Sequence, residues 1–334
     1  MNVNRLRSMG FRFAQKLEVM KILEFNTHFP SEESCKQKFI EYRLKQGIRC
    51  KKCKGTDHYW KRKREQWECK KCAYRTTVKS GTVMENSKLP FKYWFVAMHL
   101  MTSTKKSFSA KAIQNELNHN RYQPIWEMMH KIRSVMGLRD NEYTLKDKIE
   151  LDEGFFETVS PKAAQDENQK RGRGSQKQTM VMVMTESKEV NDEEDLKKKY
   201  NCNKRLRFIK MKVAKGGFKS EIFTQKVSQY VDKQTTIVAD GSTSYTGLKK
   251  DFDLQSQATT PKEASKMLPW VHTTIANAKR LLLDVHHRID SDFLENYLNE
   301  FVFKLNRRYF ENIFDRVLVA AVSYKWNYLG ETYG

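Results

Sequence analysis

The sequence predicts a mixed α/β domain preceded by a small ribbon stapled by cysteines and a short helical module. Two cysteine pairs, Cys50-Lys-Lys-Cys53 and Cys69-Lys-Lys-Cys72, stand fifteen residues apart. Between Pro90 and Gly137 the apolar residues recur at helical spacing. From Lys148 the pattern changes to alternation, with β-rich runs at Ile149–Asp152, Thr179–Thr185 and Ile209–Val213.

The chain has 334 residues, room for two or three domains. Its 62 Lys and Arg against 40 Asp and Glu leave a net charge of +22, which predicts a polyanionic partner. No apolar run approaches the ~18 residues of a membrane span, and Met1–Gly10 lacks the apolar core of a secretion signal, so a cytoplasmic protein is expected. Cys35 and Cys202 lie far apart outside the quartet and read as reduced thiols rather than a disulfide framework. A hydrophobic content of 39% excludes a disordered basic tail.

Residues 1–47 read as a helical lead-in: Ser31 is an N-cap, Glu32 and Glu33 sit in the first turn, and the helix runs to about Lys45 before Gly47. Residues 48–80 form the ribbon. The spacing of Cys50, Cys53, Cys69 and Cys72 suits tetrahedral Zn²⁺ on two facing turns. Tyr59, Trp60 and Trp67 supply an apolar side, and the many Lys and Arg around them point to nucleic acid. His58 is expected at the surface, because four thiolates already satisfy the metal.

Residues 88–140 form the helical module. Phe91, Trp94, Phe95 and Met98 share one face; a second helix follows Ser109; a third begins at Pro124 and buries Ile125, Met128, Met129, Ile132 and Met136. As a helix-turn-helix, its last helix would offer Tyr122, Gln123, His130, Lys131 and Arg133 to DNA. A plain three-helix spacer fits the same pattern.

Residues 146–334 carry the α/β domain. After its three strands come a helix at Ser220–Val231, an apolar strand Thr236–Ala239 ending at Asp240-Gly241, and helices from about Thr274. Pro161–Lys177 and Asn191–Asn203 are polar, charged stretches expected as solvated loops. Asp152 sits in a strand whose Ile149 and Leu151 point the other way, and Asp240 closes an apolar strand. On neighbouring strands the two carboxylates would form a Mg²⁺ site, although an Asp closing a strand is also an ordinary turn residue. Glu153 should face the opposite side of the sheet.

The order of ribbon, helical module, Ile149-Glu150-Leu151-Asp152-Glu153 and Val238-Ala239-Asp240-Gly241 with Tyr245, Gly247 and Leu248 resembles the DDE transposases of bacterial insertion sequences. It is most similar to the zinc-ribbon group related to the eukaryotic Merlin elements. Trp270-Val271-His272-Thr273, Asn277-Ala278-Lys279-Arg280 and the segment Tyr297–Arg308 extend the match. The resemblance implies an RNase H-like core with Asp152 and Asp240 as the first two Mg²⁺ or Mn²⁺ ligands. The family usually places a Glu third; here the matching position is Asn277, which brings no charge and cannot act as a base. It also implies two-metal cleavage and joining of DNA at the ends of an insertion sequence, an assembly at least dimeric, and a protein associated with the nucleoid. Lys279 and Arg280 would hold a phosphate beside the metals, and Asp284, on the same helix face as Asn277, is a further source of charge. His272 matches a family position near the site, whereas His286 and His287 read as structural. Because of Asn277, a DNA-binding protein with an inactive core is the alternative. A nuclease of RNA–DNA hybrids would share the core chemistry.

Overall fold

The computed structural model describes residues 20–159, 177–189, 204–214, 220–257 and 266–326. The stretches expected as loops at Pro161–Lys177 and Asn191–Asn203 fall outside these residues except for Lys177, and Met1–Gly10 and Cys202 lie wholly outside them.

The N-terminal part opens with α1 (Ile22–His28) and α2 (Glu32–Gln46). Ser31 caps α2 and Gly47 ends it at φ 80°, as the sequence predicts. The ribbon follows as three antiparallel strands, β1 (His58–Lys61), β2 (Gln66–Cys69) and β3 (Arg75–Thr77). Arg43 ties α2 to it, donating to the Val78 and Ser80 carbonyls with its guanidinium 5.5 Å from the Trp67 ring. Then come α3 (Phe91–Ser103), α4 (Ala110–Glu116) and α5 (Tyr122–Asn141). The N-terminus of α3 has no cap of its own; Glu32 of α2 accepts from the Phe91 and Lys92 amides, both at 2.8 Å.

The second part is built on a five-stranded sheet of β4 (Lys148–Glu157), β5 (Gln178–Glu189), β6 (Lys204–Val213), β7 (Thr236–Asp240) and β8 (Asp253–Gln257). Its order is β6-β5-β4-β7-β8, with β6, β5 and β4 antiparallel and β7 and β8 parallel to β4. Counted from β4, that is 3-2-1-4-5, the RNase H-like arrangement. Strand β8, with the sequence DLQSQ, has no apolar alternation because it is a largely exposed edge, and the sequence pattern did not reveal it. One face of the sheet carries α6 (Ser220–Tyr230) and the 3₁₀ segment Thr243–Lys250, packing Phe223, Val227, Tyr245 and Leu248 on Ile149, Leu151 and Ala239. The other carries α7 (Pro269–Val285) and α8 (Leu294–Asn306), packing Val271, Ala278, Leu298 and Phe301 on Val181, Val183 and Val238.

The helical module is not a free-standing reader. Its core joins α1, α2, the ribbon's Trp67 and Val78, and α3 to α5, and it is completed by the last helix, α9 (Ile313–Ser323). That helix, expected within the catalytic domain, returns to the N-terminal cluster, where the Val83 amide donates to the Ala321 carbonyl at 3.1 Å. Helix α5 then packs on α8 so closely that a Cβ on Gly137 would stand 2.3 Å from the Asn299 side chain. No helix among the described residues is long and apolar enough to cross a membrane.

Candidate metal centres and active site

The four cysteines form a closed set. Cys50 and Cys72 Sγ lie 3.5 Å apart, Cys53 and Cys69 Sγ 3.4 Å apart, and all four fall within 4.8 Å of one another. A tetrahedral ion with Zn–S bonds of about 2.3 Å needs sulfurs about 3.8 Å apart, so the quartet fits zinc. Each Cys-x-x-Cys turn is closed in the same way: the Lys54 amide bonds the Cys50 carbonyl, the Ala73 amide bonds the Cys69 carbonyl, and both residues take positive φ, 61° and 55°. Backbone N–H groups of Cys53 and Lys52, with the neighbouring thiols, bring the Cys50 thiol down to about 6 against its burial, while against the Tyr74 backbone, burial and the neighbouring thiols push Cys72 up to about 12, so that without a cation the cluster holds its negative charge on one side. His58 is half-buried, with Nδ1 2.8 Å from the Thr56 carbonyl, and takes no part in the cluster. Tyr59, Trp60 and Tyr74 are exposed on the ribbon beside Lys61, Lys63 and Arg64.

The second site lies where β4 and β7 run side by side. Their parallel register places Leu151 opposite Ala239, and both pack into the same side of the sheet. Asp152 and Asp240, one residue further on, therefore share the other side, next to α7. Glu153 lies with Tyr245 on the far side, as the alternation predicts; burial and the Glu153 carboxylate push the Tyr245 phenol up. Asp152 Oδ1 accepts from the Glu153 amide at 2.8 Å, and Asp240 Oδ1 from the Ser242 amide at 3.1 Å. Burial raises the Asp152 carboxyl; the Asp240 charge adds to the rise, while the Glu153 amide and His272 oppose it.

Helix α7 lies along β4. His272 Nε2 is 3.1 Å from Asp152 Oδ2, a Cβ on Gly154 would meet Ile275 at 3.3 Å, and Lys279 Nζ lies 5.7 Å from the centre of the Phe156 ring. Residues 272, 275 and 279 of the helix thus track residues 152, 154 and 156 of the strand. Asn277, five residues beyond His272 and about 140° round the helix, is exposed on another side. Asp284 is also directed elsewhere, 3.5 Å from Lys106 Nζ. Arg280 is exposed. His286 is half-buried with its ring 4.4 Å from that of Tyr297, a structural setting.

Glu150 holds this arrangement in place. It is 2% exposed, and its Oε2 accepts from the first-turn amides of α7, Trp270 at 2.8 Å and Val271 at 2.9 Å. Leu268 at the N-cap of α7 offers no side-chain acceptor, so a carboxylate two residues before Asp152 supplies it. The helix starts at Pro269, ahead of the Thr274 expected from the sequence, and a Pro after a residue without a capping side chain is the signal that marks such a start. It left the partner unnamed.

Lys131 and Arg133, expected on a DNA-facing surface, are instead 6% and 1% exposed. Lys131 bonds Glu127 at 2.8 Å, and Arg133 bonds Glu300 of α8. His130 is fully buried among Trp126, Phe293 and Tyr297. Arg133 and His130 are covered by α8 and its N-cap, and Lys131, on another side of α5, is covered by Trp326.

Beside β8, an open cleft lined by Lys148, Glu150, Val238, Gln255, Gln257 and Lys266 continues the Asp240 side of the sheet. Among the described residues, the four cysteines alone form a group of three or more His, Cys, Asp and Glu side chains drawn tightly enough to hold an ion. Asp152, Asp240 and His272 are a more open set.

No curated protein matches the chain. Among solved structures, a pre-cleavage Mos1 transpososome is similar over 73% of this chain and 82% of that one, at 8% identity and a TM-score of 0.25, too low to relate the two folds. Residues 30–75 match the transposase zinc-ribbon domain and residues 144–306 the ISXO2-like transposase domain. The cysteine quartet falls in the first of these and both Asp152 and Asp240 in the second; together they cover more than half of the sequence, and the chain belongs to the family of ISXO2-like transposases with a zinc ribbon.

Proposed function

We propose that the chain cuts and joins DNA at the ends of its own element through a divalent-cation site held by Asp152 and Asp240. What supports this is the β4–β7 register, which sets both carboxylates on one side of the sheet, one strand apart. Two such groups repel, and a cation between them removes the repulsion that helps to raise Asp152. Bound there, Mg²⁺ or Mn²⁺, as the two ions the resemblance implies, supplies a Lewis acid for the scissile phosphate and acidifies an attacking water.

The chain's own residues set the geometry. Glu150 locks the first turn of α7, and α7 carries His272 to Asp152 and Lys279 along β4. Lys279 and Arg280, with Lys148 and Lys266 in the cleft, would neutralise DNA phosphates. Asn277 is the third member by resemblance; its exposed position on α7 gives that assignment no support. The basic ribbon, with its exposed aromatic residues, would read the element ends. Joining two ends to a target calls for at least a dimer.

The purified protein with Mg²⁺ or Mn²⁺ and a duplex carrying the element's end tests this. The wild type should nick at the boundary, and Asp152→Ala and Asp240→Ala should bind the duplex without nicking it. A wild type that only binds would favour the inactive-core alternative.

A further inference from the structure

We infer that the cleft beside β8 receives the unpaired base of the nucleotide next to the cut, and that Gln255 and Gln257 bind its edge. This rests on the reading that DNA is cut beside Asp240, and it names what the neighbouring strand contributes. The register of β7 and β8 pairs Gln257 with Asp240 and Gln255 with Val238. Partners in register point to one side of a sheet, so both glutamines share the side of Asp240, while Leu254 packs on the other. Adjacent strands stand about 4.8 Å apart, which puts Gln257 next in line after Asp152 and Asp240. Helix α7 runs along β4, whereas the β8 end of this row opens into the cleft.

The cleft has the size and chemistry of one nucleotide. Its volume is about 410 Å³, the scale of a small-molecule pocket and too little for a duplex. Val238 and Met267 give it an apolar wall for the face of a base. The exposed amides of Gln255 and Gln257 each offer a donor and an acceptor to the edge of that base. Lys148 and Lys266 line the same space and suit its phosphate. The one acid of the lining, Glu150, is 2% exposed, and its charge is engaged by the Trp270 and Val271 amides. A base still stacked in the double helix cannot bring its edge into such a space, so the occupant has left the stack. Unpairing costs free energy, and contacts in the cleft offset that cost at the boundary, where the opened nucleotide lies beside Asp240.

The test is a binding measurement that needs no cleavage. Full-length, zinc-loaded protein is titrated at fixed salt with three duplexes carrying the element's end. The first is fully paired; the second omits the partner of the boundary nucleotide on the strand to be cut; the third is the second with that nucleotide abasic. Wild type should bind the second about tenfold more tightly than the first, and the third should lose that gain. The double variant Gln255→Ala, Gln257→Ala should bind all three within about twofold of one another, and the paired duplex within about twofold of wild type. Melting temperature checks the fold, and Gln255→Met with Gln257→Met, which keeps the side-chain length, serves if the alanine protein is unstable. An abasic duplex bound as tightly as the second, or glutamine variants that keep the full preference, overturns the inference. A base-dependent gain that the glutamine variants lose, in a protein that never nicks with Mn²⁺, upholds the cleft and overturns the cutting reading instead.

Discussion

Arg133 Nε and Glu300 Oε2 lie 2.8 Å apart with both side chains 1% exposed, although 167 residues separate them in sequence. The pair joins α5 of the N-terminal cluster to α8 on the sheet. Burial alone would raise the Glu300 carboxyl, but Arg133 and Lys304 hold it below its usual range. Removing one partner strands a buried charge, so Arg133→Ala should cost about 3–5 kcal/mol. Replacing both by apolar residues of similar volume should cost much less. Denaturant unfolding of the single and double variants measures the difference.

DNA affinity should separate the basic residues that sequence alone groups together. Lys279→Ala and Arg280→Ala should each lower the slope of log affinity against log salt by about one, as expected for lost phosphate contacts. Lys131→Ala should leave the slope unchanged, because Lys131 is buried against Glu127 and Trp326. A salt titration of duplex binding reads both outcomes.

Glu150 should behave as a positioning residue. Glu150→Ala leaves the Trp270 and Val271 amides without their acceptor and should cost about 1–3 kcal/mol. It should also slow strand cleavage, because the first turn of α7 carries His272 to Asp152. Glu150→Gln keeps an acceptor but not the charge, and should fall between wild type and the alanine variant in both unfolding and cleavage assays.

Stability should fall as pH drops below neutrality. Burial, with Arg133 nearby, pushes the His130 imidazole down to about 2 and that of His286 down to about 4. Between about pH 6.5 and 4.5 the unfolded chain binds protons at these two sites that the folded chain does not, so each group lowers stability by up to about 1.4 kcal/mol per pH unit. Above about pH 6.5 the effect vanishes. His130→Phe should lower the slope across that window by up to about 1.4 kcal/mol per pH unit, as measured by urea unfolding at a series of pH values.

The elements with a strong local signal were legible in the sequence. The cysteine quartet, the Ser31 cap, the apolar faces of α3 and α5, and the alternation that sends Asp152 one way and Glu153 the other all follow from spacing. Features set by distant partners were not. Nothing near Arg133 announces Glu300, so a buried pair looks like a basic DNA-facing surface. Nothing near Leu268 names Glu150, and β8 carries no apolar pattern. On α7, family resemblance drew attention to Asn277, whereas helical phase and the path of β4 bring His272 to the carboxylate.

Helix α9 closes the cluster that α1 opens, with Phe314 5.8 Å from Phe25 and 5.5 Å from Phe29 between ring centres. During synthesis the apolar side of α1 stays uncovered until α9 has been made. A product that stops short of residue 313 would leave the ribosome with that seam open. Truncated copies should therefore be cleared rather than accumulate.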